Sequence, residues 1–455
     1  METNLASHIH LVGASQTGKT KLAEFQVRES IIHRQGACVI DLHGPLYDSL
    51  IDYCAFFNLK DRIIPLDLTS ERVVGFPLIQ QCSNPTAPAS RKVSVLSEVY
   101  GNQKSSEAPK FREVGGLLFR LAIYLGVPID RVLPALQVPK NKHLITAINR
   151  CYPPDKPKWQ YLASLTTAKD WDFHTGSTRL RLHELCLSPA FPFLAGKLDL
   201  RETMDQGAII LVNLKQTPRL DAQSARDFAA LLLSEFMFQA MQRHNDLPFT
   251  IYCDESQEYL TPQVGEMLDQ MLKFGLRLAI IHHHLSQIED EHLLASILEH
   301  CRIRFIFGGM ESQSCETMAK LMFMRQIAEP MVRETRKRLI THYVPEAREI
   351  TTTKGDQTST TVAPGYAPVQ EIVDDSYWYT QQEKIAIFSS LLHYQEQRMC
   401  YYQSPGINPV PIAVPYVREY KPSTKQRETY LMKLYKREGK PISTPNDTDE
   451  KDYVE

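Results

Sequence analysis

The chain of 455 residues has no run of 18 uninterrupted apolar residues, and its opening Met1-Glu2-Thr3-Asn4 lacks the charged-then-apolar pattern of a leader. Membrane-spanning helices and secretory processing are therefore not expected, and the sequence reads as cytoplasmic. No Cys-x-x-Cys pair occurs among the nine cysteines, which are scattered from Cys38 to Cys400 and fit reduced buried thiols better than a disulfide frame or a zinc site. An excess of charge is missing too, with a formal net charge of −2. The molecule is no polycation, so any nucleic-acid contact must come from local patches or from a lumen created by assembly. No internal repeat is visible. What is there, 43% apolar and 23% charged residues, is the composition of a globular protein long enough for two or three domains.

The most informative stretch is Gly13-Ala14-Ser15-Gln16-Thr17-Gly18-Lys19-Thr20, which fits G-x-x-x-x-G-K-[ST] and follows the apolar run Ile9-His10-Leu11-Val12. Glycines at this spacing let backbone N–H groups curl around a phosphate while the following helix points its positive end at it. The motif predicts ATP as cofactor, with Lys19 on the β/γ-phosphates and the Thr20 hydroxyl on Mg²⁺. Further along, Phe249-Thr250-Ile251-Tyr252-Cys253 runs into Asp254-Glu255. At a strand end near a phosphate loop, Asp254 can support the metal and Glu255 can orient or deprotonate an attacking water.

Strands are expected at Ala37–Asp41, Arg62–Asp67, Gly207–Leu214, Leu276–His282 and Ile303–Phe307, alternating with helices such as the one from about Asp221 to Arg243. That alternation predicts an α/β fold with a predominantly parallel sheet. Between Asn84 and Asp205 the strands pause, and patterns such as Val114 to Leu125 predict a mostly helical insertion. Residues 1–83 and 206–345 then form the core and 84–205 the insertion. The segment 346–420 is read as a C-terminal part of the core containing a polar Thr/Gly/Pro loop from Thr351 to Gly365, and 421–455 as a basic helix with an acidic tail from Asn446 to Glu455.

In order along the chain, Ile9–Thr20, Val39-Ile40-Asp41-Leu42-His43-Gly44, Leu198–Gly207, Ile251–Gln257, Leu272-Lys273-Phe274-Gly275-Leu276 and His283-His284-Leu285-Ser286-Gln287 resemble the HerA/FtsK-type ATPases, most of all the TraG/TraD-type coupling proteins of conjugative type IV secretion. The resemblance implies a RecA-like P-loop core, assembly as a ring, a hexamer in the family, and ATP-driven movement of DNA for transfer, packaging or defence. It also implies that the helical insertion corresponds to the all-α domain at one face of such rings. Two positions depart from the pattern: Leu272 stands where an arginine precedes the Lys-Phe-Gly turn, and His283 where a glutamine ends the next strand. The arginine completes a neighbour's site and is worth about 10³ to 10⁵ in rate in related systems. Lys273, Arg277, Arg302 and Arg304 are the candidate replacements, and His283 can still hydrogen-bond a γ-phosphate.

Two other functions stay open at this point. One is a weakly hydrolysing, ATP-binding scaffold or switch that assembles with a partner effector; the other is a secretion motor tethered by a separate membrane protein. The basic cluster Arg333 to Arg338 reads as a solvated helix face or a phosphate contact, and Arg418 to Lys440 as an amphipathic helix that either grips a partner or docks on its own domain. Asp41 and His43 line the nucleotide site or shape a turn with Gly44. In His282-His283-His284 strand alternation puts only two imidazoles on one face, which argues against a metal site.

Overall fold

A computed structural model describes residues 7–99 and 108–441. The first four residues and the acidic tail from Asn446 discussed above lie outside the described residues. The chain opens with β1 (Ile9–Val12), α1 (Lys19–Ile32), β2 (Gly36–Asp41), α2 (Pro45–Phe56), β3 (Ile63–Asp67) and the short β4 (Arg72–Val73). A helical stretch follows, α3 (Thr86–Val99), α4 (Ala108–Leu125), α5 (Ile129–Val132), α6 (Lys142–Arg150), α7 (Lys156–Ser164), α8 (Ala168–Leu187) and α9 (Leu200–Asp205). Strands then resume as β5 (Ile209–Asn213), α10 (Ala222–Ala240), β6 (Phe249–Cys253), α11 (Pro262–Met271), β7 (Leu276–His282), α12 (Glu291–His300) and β8 (Ile303–Phe307). After α13 (Ser312–Met322) and α14 (Met324–Ala328) come two long strands, β9 (Val332–Lys354) and β10 (Gln357–Trp378), and α15 (Gln381–His393). The last elements are β11 (Met399–Ser404), β12 (Ile407–Ala413), α16 (Thr424–Glu438) and β13 (Lys440–Pro441).

The main sheet runs β12-β11-β8-β1-β7-β6-β2-β5-β3. Its seven strands from β8 to β3 are parallel, and β11 and β12 add an antiparallel pair at one edge. Full burial on both faces explains why the core strands read as continuous apolar runs. Alternate residues feed two cores: Ile40, Ile251 and Ile280 face one, Val39, Tyr252 and Ile281 the other. Helices α1, α2 and α16 cover the second core, while α10, α11 and α12 cover the first.

The helical stretch shares the first core with the sheet, through Leu96, Phe119, Trp159 and Trp171. It is therefore continuous with the sheet layer rather than a domain with its own core. Helix α3 lies on α10, where Lys92 donates to Glu235 across 2.7 Å in a buried pair. Burial alone would raise the Glu235 carboxyl, but Lys92 and Arg91 hold it below the usual carboxylate range. Helix α16 docks through Tyr430, Leu434 and Tyr435 on α2 and β3, so of the two readings of this segment the apolar face follows the one in which the helix packs on its own domain.

Two compact units result: Met1–Ser314 with Tyr394–Glu455, and Cys315–His393. The second unit corrects the reading of residues 346–393 as part of the core. Its stretch Thr351 to Gly365 is not a loop; it belongs to the antiparallel β9–β10 hairpin, paired from Lys354↔Gln357 down to Val332↔Trp378. Gly355 supplies the positive φ of 65° at the turn, and the dense β-branched residues on both sides favour strands over the loop that Pro364 and Gly365 suggested. The cluster Arg333 to Arg338 lies on β9, so the helix-face reading is corrected as well.

Three histidines are sealed under the sheet's core. His8 accepts a hydrogen bond at Nδ1 from the Leu278 N–H at 2.9 Å and donates from Nε2 to the Leu268 carbonyl at 2.6 Å, which fixes its neutral form. His10 donates to His282 across 2.7 Å, and His282 Nδ1 donates to the His284 carbonyl. Burial pushes His8 and His282 down to about 4 and His10 well below its ordinary value. Unfolding frees these groups to titrate near 6.5, so their contribution is complete above that pH and is lost as pH falls toward 4. Thermal unfolding temperature should drop between pH 7 and pH 4.5, and His8→Gln should flatten that slope relative to the parent chain.

Candidate nucleotide site

Register brings the site together. Val12 pairs with His282, Cys253 with both Ile40 and Ile280, so Gly13, His283, Asp254 and Asp41 all leave the sheet at the same carboxyl edge. In an open parallel sheet this edge is where ligands bind. Strand β7 lies between β1 and β6, so His283 falls between the phosphate-type loop and the two carboxylates.

The loop itself needs its glycines. Gly13 has φ 154°, and a Cβ there would sit 2.4 Å from the Phe307 Cβ and 3.0 Å from that residue's backbone. Gly18, at φ 119°, begins α1 without a side-chain cap. The Ala14 N–H donates to the Gly308 carbonyl at 3.0 Å and the Thr17 hydroxyl to the Ala14 carbonyl at 2.7 Å, while Ser15 and Gln16 face solvent. Buried Lys19 donates from Nζ to the Gly13 and Ala14 carbonyls at 2.5 and 2.9 Å and to His283 Nδ1 at 3.0 Å. Its burial lowers the amine to about 8, against the pull of Glu255 and Asp254.

His283 Nε2 in turn donates to Glu255 Oε1 at 2.9 Å, and Gln257 donates to Glu255 Oε2 at 2.8 Å. Burial favours protonation of Glu255, but the bonds from His283 and Gln257 win and hold it at about 2. Gln287 anchors the turn by accepting from the His283 and His284 N–H groups at 2.9 and 3.0 Å. Asp254 is buried and pushed up to about 7, first by burial and then by the neighbouring Asp41 and Glu255 charges. The donor set fits Mg²⁺: the Thr20 hydroxyl and the Asp254 carboxylate are hard oxygen ligands, and the crowding of carboxylates is what a divalent cation relieves. Asp41 is already committed, accepting from the His43, Gly44 and Tyr47 N–H groups at 2.9, 2.8 and 2.9 Å, so it caps α2 and shapes the turn.

The four candidate trans-acting cations lie on or just before β7 and β8, toward the amino-terminal edge of the sheet and away from the loop. Arg277 and Arg304 are buried; Arg304 donates to Gln403 at 3.0 Å and to the Leu298 carbonyl at 2.6 Å. Their burial within the sheet argues against either reaching a neighbour's site. Lys273 and Arg302 are exposed.

A cleft of about 640 Å³ opens beside the loop, lined by Gln16, Gly18, Lys21, Arg398, Tyr416 and Lys421 among others. It is stitched to the loop by the Arg398 N–H, which donates to the Thr17 carbonyl at 3.0 Å, and by Gln397 Nε2, which donates to the Gln16 carbonyl at 3.1 Å. The Arg398 guanidinium lies 5.6 Å from the centre of the exposed Tyr416 ring. Sequence reasoning missed this wall. Nothing local marks Arg398 or Tyr416; the antiparallel pairing of β11 with β8 carries them nearly 400 residues back to the loop.

A P-loop strand whose neighbour in the sheet is inserted from later in the chain, with the acidic strand next beyond it, defines a RecA-like P-loop nucleotide-binding fold. No protein-family model matches the chain, and no curated protein matches it in sequence. Among solved structures, the fold is that of the plasmid coupling protein TrwB: its complex with the non-hydrolysable ATP analogue ADPNP superposes with a TM-score of 0.60 at 13% identity, over 92% of this chain and 88% of that one. Its complex with ADP and Mg²⁺ gives 0.58 at 14% identity, over 94% and 89%. VirB4 of Thermoanaerobacter pseudethanolicus is also similar, at 0.51 and 11% identity over 92% and 91%. Among the described residues no helix is long and apolar enough to cross a membrane.

Gly13→Ala should destabilise the chain by about 1–3 kcal/mol, from the left-handed backbone and the contact with Phe307. Urea denaturation measures it; an unchanged midpoint would show that the loop tolerates a side chain at this position.

Proposed function

We propose that this chain is an ATP-driven, ring-forming motor of the coupling-protein type, acting on DNA in the cytoplasm. The observation that carries this reading is the line from Lys19 through His283 to Glu255 at the carboxyl edge of the sheet. A triphosphate in the loop replaces the loop carbonyls as the acceptor for Lys19, and the backbone N–H groups of residues 15–20, which run into the start of α1, donate to its oxygens. Mg²⁺ bound to Thr20 and Asp254 would neutralise charge on the phosphates. Glu255 then orients the attacking water, with the His283 bond fixing its carboxylate. Catalysis is positioning plus charge stabilisation, with no covalent intermediate.

The cleft beside the loop suits the base and ribose, with Tyr416 and Arg398 as a stacking surface. Assembly as a ring, a hexamer by the family resemblance, is supported by the opposed placement of exposed Lys273 and Arg302: in a head-to-tail contact they can approach a neighbour's phosphates. Phe173, Leu180 and Leu187, each seven residues apart on α8 and more than half exposed, support a partner-protein contact on the helical stretch.

Lys19→Ala should weaken ATP binding at least tenfold. Glu255→Gln should keep binding and cut DNA-stimulated turnover about 10²- to 10⁴-fold, read as steady-state phosphate release. Unchanged affinity and turnover in Lys19→Ala would end this reading; binding and assembly without turnover in the parent chain would favour the scaffold, for which Leu272 and His283 speak. Tyr416→Ala should weaken ATP by roughly tenfold, the loss of one stacked base, while leaving inorganic tripolyphosphate affinity unchanged. Equal losses for both would place the base elsewhere.

A further inference from the structure

The hairpin of β9 and β10 forms a sheet of its own, with strands of 23 and 22 residues. At about 3.3 Å per residue it is a ribbon roughly 70 Å long. A two-stranded ribbon is marginal in water and presents two open edges to any matching strand. Apolar side chains stand well exposed on it, among them Leu339 at 56%, Tyr343 at 67%, Tyr366 at 64% and Ile372 at 64%.

Its prolines show which backbone groups point outward. Pro345 pairs with Tyr366, Pro364 with Ala347 and Pro368 with Tyr343. Proline has no N–H to give to the ladder, and all three fall on the same alternation of the register, odd numbers on β9 and even numbers on β10. Those positions therefore face away from the hairpin's own ladder. Along the middle of the ribbon both outer edges are blunted by these missing donors. Nearer the open end they are intact, on β9 from Arg333 to Tyr343 and on β10 from Gln370 to Ser376.

Charge distinguishes these two intact edges. On β9, Arg333 is paired with Glu383 at 3.0 Å and Arg336 with Glu334 at 2.9 Å, which leaves Lys337 and Arg338 as the excess cations, whereas residues 370–376 of β10 carry Glu371, Asp374 and Asp375 with no cation. Within one hairpin Arg338 and Asp375 are already 3.8 Å apart, so each strand has an oppositely charged neighbour on one side and an open edge on the other. A β9 edge against another β9 edge would oppose like charges, as would β10 against β10. A β9 edge against the β10 edge of a second copy continues both the antiparallel alternation and the alternation of charge.

We propose that this proximal part of the ribbon is an assembly interface with a second copy of this chain. The outer edge of β9 around Lys337 pairs with the outer edge of β10 around Asp374 in the next subunit. The contact is head-to-tail, so it propagates and closes where the rotation allows a ring. Pro345, Pro364 and Pro368 stop the ladder from running up the ribbon and so confine the pairing to its proximal part. This interface is independent of nucleotide chemistry.

The test mixes ¹⁴N- and ¹⁵N-labelled full-length protein, couples amines to carboxylates with a zero-length carbodiimide, and maps the products by mass spectrometry. Same-isotope links between Lys337 and Asp374 arise from the hairpin itself as well as from like-labelled copies, and serve as the control that coupling has occurred. Mixed-isotope Lys337–Asp374 or Lys337–Asp375 links are expected in addition, to fall several-fold in 0.5 M NaCl and to vanish in Leu339→Pro. That substitution removes only an outward N–H, so circular dichroism and the same-isotope links should persist. Same-isotope links without mixed ones in the parent chain would overturn the proposal, whatever the sedimentation coefficient. Mixed links that survive Leu339→Pro unchanged would overturn the edge pairing.

Discussion

Everything at the carboxyl edge depends on one insertion, that of β7 between β1 and β6. Parallel pairing on both sides of β7 holds Val12 level with His282 and Cys253 level with Ile280. The residues that follow each strand then meet without any further device. Lys19 reaches back from α1 to the same point, and a single imidazole spans amine and carboxylate with bonds of 3.0 and 2.9 Å. Because the strands are fully buried, a slip of one residue would turn every core side chain to the wrong face, so the register is strongly specified.

Electrostatics at this edge are set by contrast. Asp254 and Glu255 are consecutive, yet burial and neighbouring carboxylates push the first up to about 7, while donated hydrogen bonds hold the second at about 2. The left-handed backbone of Glu255, at φ 47°, turns the chain so that the two carboxylates meet different surroundings. One suits a cation ligand, the other a fixed anion that orients its partner. The chain's final portion completes the picture from far away in sequence: β11 joins the sheet beside β8, Arg398 is tied to the loop, and α16 seals the second core against α2 and β3.

Much of this was legible in the residues. The glycine spacing of the loop, the apolar runs ending in Asp254-Glu255 and in His282, and the helical patterns from Val114 onward all express local periodicity or local turn chemistry, which a sequence displays directly. The failures are equally physical. Thr351 to Gly365 looked like a loop because proline and glycine are turn formers in isolation, whereas Pro364 takes an outward position of the two-stranded ribbon and Gly365 keeps its N–H opposite Glu346, so neither interrupts a ladder bond. Arg277 and Arg304 looked available because charge is usually exposed, but both lie on strands whose two faces are covered.

The phosphate-type loop, its place after a buried strand, the acidic strand end and the α/β alternation could all be read along the chain, because each is set by residues within a few positions of one another. It took the folded chain to show that β7 carries His283 between Lys19 and Glu255, that Arg398 and Tyr416 wall the cleft beside the loop, and that the helical stretch shares the sheet's core. These are consequences of pairing and packing between segments hundreds of residues apart, and such contacts leave no mark in the local pattern of a single chain.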